Sequence, residues 1–331
     1  MAVAISNLPQ LTSVSPSAQL VVVQNGATWR AAPGAIPVSL QAGSIPGFDA
    51  LVAAPMADAG SPFPTPTVIR SALYDVYTAT RIGLTGDGSV EDMALLEEAL
   101  AWLSERRQAL YIDKVVRIAP RTPQWDYLGD PTIPTYRGIN INLDWLYLSQ
   151  VGAGRIIPLK DPTITYPART RTYAFSTEQN FTMGALRSHT FEGPLWDVDT
   201  AYTTGMPAMY MAACIGVDRV DIRRAYNRNT AGDTRQGHGF TVQNCRDVSL
   251  RDVEGRHIKQ FANFSHCEGV HLHGLIARDF VEFIDFDHWC KDVIISDCYF
   301  SDSSSNDESQ CLDVVAKNAT INNVIARDIA G

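Results

Sequence analysis

Between residues 217 and 323 a short phrase recurs: a small residue, two variable positions, then apolar residues at alternate positions before a polar turn. Three phrases open on cysteine, at Cys245 (CRDVSLRD), Cys267 (CEGVHLHG) and Cys290 (CKDVIISD). Two more open on Val217 (VDRVDIRR) and Ala316 (AKNATINN), giving intervals of 28, 22, 23 and 26 residues. Near-constant core positions with variable insertions are the mark of a solenoid, in which each repeat is one structural unit and insertions become loops. Alternation within a phrase predicts a strand. A short strand cannot satisfy its own backbone groups, so successive coils must pair edge to edge. The expected fold is therefore all-β, a right-handed parallel β-helix.

Stacked coils place equivalent side chains above one another, and residues two apart on a strand share a face. Val248, Val270 and Val293 should form one inward ladder, Leu250, Leu272, Ile295 and Ile321 a second, and the three cysteines a third. Asp247, Asp292 and Asn318 share one turn position, and Asp252, Asp297 and Asn323 another, which suits side chains that tolerate left-handed backbone. All six cysteines lie at or beyond Cys214, and stacked burial is their expected state. Cys298 and Cys311 flank a polar loop and are the pair placed for a disulfide if one forms. No paired CxxC spacing points to zinc.

Upstream, Ser89 precedes a helical stripe of Leu95, Leu96, Ala99, Leu100 and Leu103, with Asp92 at the reciprocal position of a capping box. A β-helix needs such a cover because its terminal coil exposes core and strand edge alike. Ile139–Ser149 alternates as a strand should. In Gln19–Ala32, Asn25 and Gly26 separate two strand-like runs, the preferred pair for a type I′ hairpin.

Composition divides the chain. Arg30, Asp49 and Asp58 are the charged residues of the first 69, and residues 31–66 hold seven prolines and four glycines. That favours an extended arm ordered by packing against partners. The net charge of −9 argues against nucleic acid as the main partner, while leaving a neutral or acidic glycan open. No apolar run is long enough to insert in a membrane, and the amino terminus lacks the pattern of a secretory signal.

Six of the seven histidines lie between His238 and His288 among many carboxylates. Glycoside hydrolysis needs two carboxyl groups across the scissile bond, and a lyase needs a base beside a neutralising group. Glu282–His288 (EFIDFDH) is the strongest segment: with Phe283 or Ile284 and Phe286 inward, Glu282 or Asp285 and Asp287 face outward. His238, between two glycines, is a further catalytic candidate. Trp196, Tyr202 and His288 are candidate sugar contacts. His271 and His273 share a strand face without a third ligand, so neither a metal nor any other cofactor is expected.

Ile5–Ala32 resembles the amino-terminal segment of many bacteriophage tail fibres and tailspikes, where it joins the virion; Leu20, Val22, Asn25, Gly26 and Trp29 carry that likeness. The run Gly86-Asp87-Gly88-Ser89, the helix after it and Ala109–Ile112 are similar to the opening of pectate-lyase-like proteins, in which such a helix caps the β-helix. Gly237-His238-Gly239 and Arg256–Lys259 partly resemble polygalacturonase signatures, without the upstream aspartates of those enzymes. These resemblances imply residues 1–75 as a virion-attachment arm contacting tail or baseplate proteins, 76–118 as turn and capping helix, and 119–331 as a β-helix whose carboxyl end another chain or further coils would cover. They also imply a homotrimer, made in the host cytoplasm and carried on the virion, that recognises a host surface polysaccharide. Three readings compete: a noncatalytic tail spike or fibre component, a polysaccharide depolymerase, and a free-standing pectin-type enzyme.

Overall fold

The computed structural model describes residues 20–24, 27–31, 77–124, 133–167, 170–177, 187–193, 195–198, 208–229, 237–303 and 310–329. The chain forms two compact units. In the first, Leu20–Gln24 pairs antiparallel with Ala27–Ala31, Leu20 opposite Ala31 and Gln24 opposite Ala27. That register leaves a two-residue connection, the length that the Asn-Gly pair predicts. Asn25 and Gly26 themselves, and the remainder of residues 1–75, lie outside the described residues.

The second unit is a parallel β-helix with three faces. Face A is one sheet, running from Thr135–Asn140 through Arg171–Ser176, Ala208–Ile215, Gly237–Gln243, Gln260–Ser265 and Glu282–His288 to Gln310–Asp313. Faces B and C are two legs of a second sheet, joined where Cys290–Ser301 pairs with both Glu268–His273 and Ile276–Phe280. Each coil visits A, B and C in turn and its strands pair parallel with those of the next coil, while Thr122–Gln124 joins the start of face A antiparallel to Thr135–Asn140.

Corners between faces are made by left-handed residues that stack as ladders. Gly216, Asn244, His266 and Trp289 turn A into B; Gly193, Arg224, Asp252, Gly274, Asp297 and Asn323 turn B into C; His257, Asp279, Asp302 and Asp328 end C. The polar ladders stabilise themselves: Asn323 Nδ2 donates to Asp297 Oδ1 at 2.6 Å and Asn318 Nδ2 to Asp292 Oδ1 at 2.9 Å. Asp247 departs from its expected turn role and pairs with Arg219 at 2.8 Å, Gly269 taking the left-handed position in the next coil.

Val248, Val270 and Val293 stack in register with no exposure, as do Leu250, Leu272 and Ile295 at 1% or less. Ile321 pairs with Ile295 but is 49% exposed, because no described strand lies beyond it. Cys214, Cys245, Cys267, Cys290 and Cys298 are buried and all six cysteines are thiols, so the Cys298–Cys311 disulfide is not formed here. Ile139–Ser149 proves to be two strands, Thr135–Asn140 on face A and Trp145–Gln150 on face B, with a corner between them.

A helix over Val90–Arg106 covers the first coil. Leu96, Ala99, Leu100 and Leu103 are buried with Met93 and Trp102, while Leu95 is half-buried. Glu97 Oε1 accepts from Asn140 N at 2.6 Å and Ser104 Oγ from Trp145 N at 3.1 Å, so side chains satisfy donors at the strand edge. Ser89 caps as expected, accepting from Asp92 N at 3.2 Å. The reciprocal bond differs: Ser89 N donates to Asp87 Oδ1 at 2.8 Å, and Asp92 instead grips Thr85 N and Gly86 N at 2.6 and 2.9 Å. Asp92 is buried, so it holds the Gly-Asp-Gly turn against the helix.

Candidate functional site

The outward side of face A carries a line of polar side chains that crosses the coils. Tyr173, Tyr210, His238 and Gln260 are register partners. Tyr173 stacks on Tyr210 at 4.8 Å and Tyr210 on His238 at 4.3 Å. His238 Nδ1 lies 3.4 Å from Gln260 Oε1. Gln260 Nε2 then donates to Glu282 Oε2 at 3.3 Å and to Asp285 Oδ2 at 3.1 Å, and Asn263 Nδ2 donates to Asp285 Oδ2 at 2.8 Å.

Simple alternation does not bring Glu282 and Asp285 together, since residues three apart fall on opposite faces of a regular strand. Two consecutive inward residues do it: Phe283 and Ile284 are both fully buried. Phe283 packs on Phe261 at 5.3 Å and Phe286 on Phe264 at 4.9 Å, so the same distortion is stacked in two coils. Its outward partners are Gln260 and Asn263 in one coil and Glu282 and Asp285 in the next. Asp313 is the register partner of Asp285. The three carboxylates Glu282, Asp285 and Asp313 place ligand oxygens within 4.8 Å of one another.

Asp313 was not among the candidates from sequence, although a signal existed. Gln260-x-x-Asn263, Glu282-x-x-Asp285 and Gln310-x-x-Asp313 repeat one spacing at one place in successive coils.

Asp285 is 8% exposed, while Glu282 and Asp313 are half-buried. The Gln260 and Asn263 amides both aim donors at Asp285 Oδ2. Three oxygen ligands so close could also hold a hard divalent cation such as calcium or magnesium. His271 and His273 are exposed on face B and take no part in this set.

Two of the sequence candidates are buried. His238 is 5% exposed, and burial, reinforced by the Lys259 charge, lowers its pKa to about 3. It is a neutral ring packed behind Gln260, unsuited to deliver a proton at neutral pH. Trp196 is 2% exposed in the interior, so no face of its indole is open to a sugar. Tyr202 and the side chains of Asp287 and His288 lie outside the described residues.

No protein-family model and no curated protein matches the chain. Among solved structures it is similar to a candidate glycosyl hydrolase from Parabacteroides merdae, with 12% identity and a TM-score of 0.35 over 76% of this chain and 95% of that one. It is also similar to Pantoea stewartii WceF, a glycan biofilm modifying enzyme with a bacteriophage tailspike-like parallel β-helix fold. There the identity is 10% and the TM-score 0.29, over 66% of this chain and 39% of that one.

Proposed function

We propose that this protein binds and cleaves a bacterial surface polysaccharide on face A, and that its amino-terminal arm attaches it to a phage tail as a homotrimeric spike or fibre. The convergence of Glu282, Asp285 and Asp313 carries the catalytic part. Glycosidases place two carboxyl groups about 5 to 5.5 Å apart when one attacks the sugar directly, and about 6.5 to 9.5 Å apart when a water must fit between. Oxygens within 4.8 Å favour direct attack.

In this reading Asp285, positioned by Gln260 and Asn263, is the nucleophile. Glu282, the more accessible partner, protonates the departing glycosidic oxygen and then deprotonates the water that releases the sugar. Asp313 adds negative charge beside Asp285, which favours an oxocarbenium-like transition state and helps Glu282 keep its proton. The virion assignment rests on the resemblance of Ile5–Ala32 to tail proteins, and the hairpin within it has the expected register.

The test is incubation of the full chain with capsule or lipopolysaccharide from bacteria that its phage adsorbs to. New reducing ends that vanish in Asp285→Asn support hydrolysis. Unsaturated ends would mean a lyase, and retention of the polysaccharide without cleavage would leave the noncatalytic tail component as the answer.

A further inference from the structure

Face C carries a second polar line, made of arginine. Arg228, Arg256 and Arg278 are direct register partners on three successive coils. Arg256 and Arg278 are exposed. The column beside them holds Tyr226, Glu254, Ile276 and Tyr299. Lys259, also exposed, sits at the corner between this face and face A, and its carbonyl accepts from Glu282 N at 2.8 Å.

Like charges directly opposite on paired strands destabilise a sheet. Acidic neighbours offset this only in part. Glu254 reaches Arg256 at 3.5 Å, and Asp279 is taken by His257. Among the described residues neither Arg278 nor Lys259 forms an ion pair. The guanidinium groups of Arg256 and Arg278, on adjacent coils at a strand spacing of about 4.8 Å, match a polymer that brings an anion at each step along the axis. Arginine binds carboxylate and sulfate with paired, charge-assisted hydrogen bonds.

We propose that Arg256 and Arg278 on adjacent coils, with Lys259 at the corner toward face A, form a binding site for a polyanionic glycan, a carboxylated or sulfated polysaccharide. This deepens the polysaccharide reading and rests on it. The acidic cluster repels the glycan's own charges, so the anchoring force must come from elsewhere, and Arg256 and Arg278 supply it.

Affinity electrophoresis of the full chain in gels containing polygalacturonate, dextran sulfate or neutral dextran tests the assignment. Retardation by at least one polyanion, weakened by salt and reduced about tenfold or more in Arg256→Gln/Arg278→Gln, is the expected result. Polygalacturonate and dextran sulfate tell carboxylate from sulfate preference. Lys291→Gln/Lys317→Gln removes the same charge from face B and should leave retardation unchanged. Equal retardation of the arginine variant, equal loss in the lysine variant, tighter binding of a DNA duplex, or no retardation by either polyanion would each overturn the proposal. Cleavage of a neutral host polysaccharide, unchanged in the arginine variant, would sink this inference while leaving the proposed function standing.

Discussion

Asp285 and Asp313 stand side by side on adjacent parallel strands, with Asp285 also accepting from Gln260 and Asn263 while Asp313 faces it from the next coil. Two like charges in direct register oppose the sheet that carries them, a cost of about 0.2 to 1 kcal/mol.

Asp313→Asn should therefore raise the urea midpoint at pH 7 by the equivalent of about 0.5 kcal/mol while lowering glycan cleavage. Equilibrium unfolding and a reducing-end assay on the same preparation check both halves. A destabilised variant with full activity would show that Asp313 is structural.

Acid should weaken the fold through its buried histidines. Burial lowers His189 to about 4 and His238 to about 3. Both folded values lie below the unfolded value near 6.5, so the unfolded chain binds more protons in between. Their stabilising contribution is complete above that value and is lost as pH falls toward 4 and then 3. Each unit corresponds to about 1.4 kcal/mol. Urea midpoints measured from pH 7.5 down to 4 should fall, and His238→Gln should flatten the slope.

Thiol labelling should separate the cysteines by depth. Burial raises the Cys214 and Cys267 thiols well above their ordinary range, and the Cys267 sulfur together with burial does the same for Cys290. Cys311 is only half-buried. A disulfide reagent at pH 8 should modify Cys311 first and reach the stacked cysteines only on unfolding, because the thiolate is the reactive form. Mass spectrometry of the partly labelled chain identifies the site, and early labelling of Cys267 would contradict the ladder.

The amino-terminal turn should not tolerate a side chain at Gly86. Its φ is +83°, and a Cβ there would sit 2.2 Å from the Val115 carbonyl oxygen. Gly86→Ala should cost about 2 kcal/mol or more through combined strain and clash, seen as a lower melting temperature. A melting temperature within one degree of wild type would mean that the turn shifts freely.

Local periodicity was enough to predict the coils from Val217 onward, because strand alternation and left-handed corners at Asp252, Asp297 and Asn323 are encoded within a few residues. The capping helix was equally legible from Ser89 and its apolar stripe. Upstream coils were not, since their strands lie farther apart along the chain and the wider spacing hides the repeat.

What only the tertiary structure decided was lateral register. Two consecutive inward residues, Phe283 and Ile284, turn Glu282 and Asp285 to the same side, and stacking delivers Asp313 from the following coil. The same stacking carries Trp196 into the core and buries His238 on the outer side of face A between Tyr210 and Gln260. Amino-acid pattern determines which residues alternate along a strand, but pairing between coils depends on hydrogen bonds across long sequence separations and on how aromatic rings pack in the core. That is why the coil was readable from the chain alone and the site needed its neighbours.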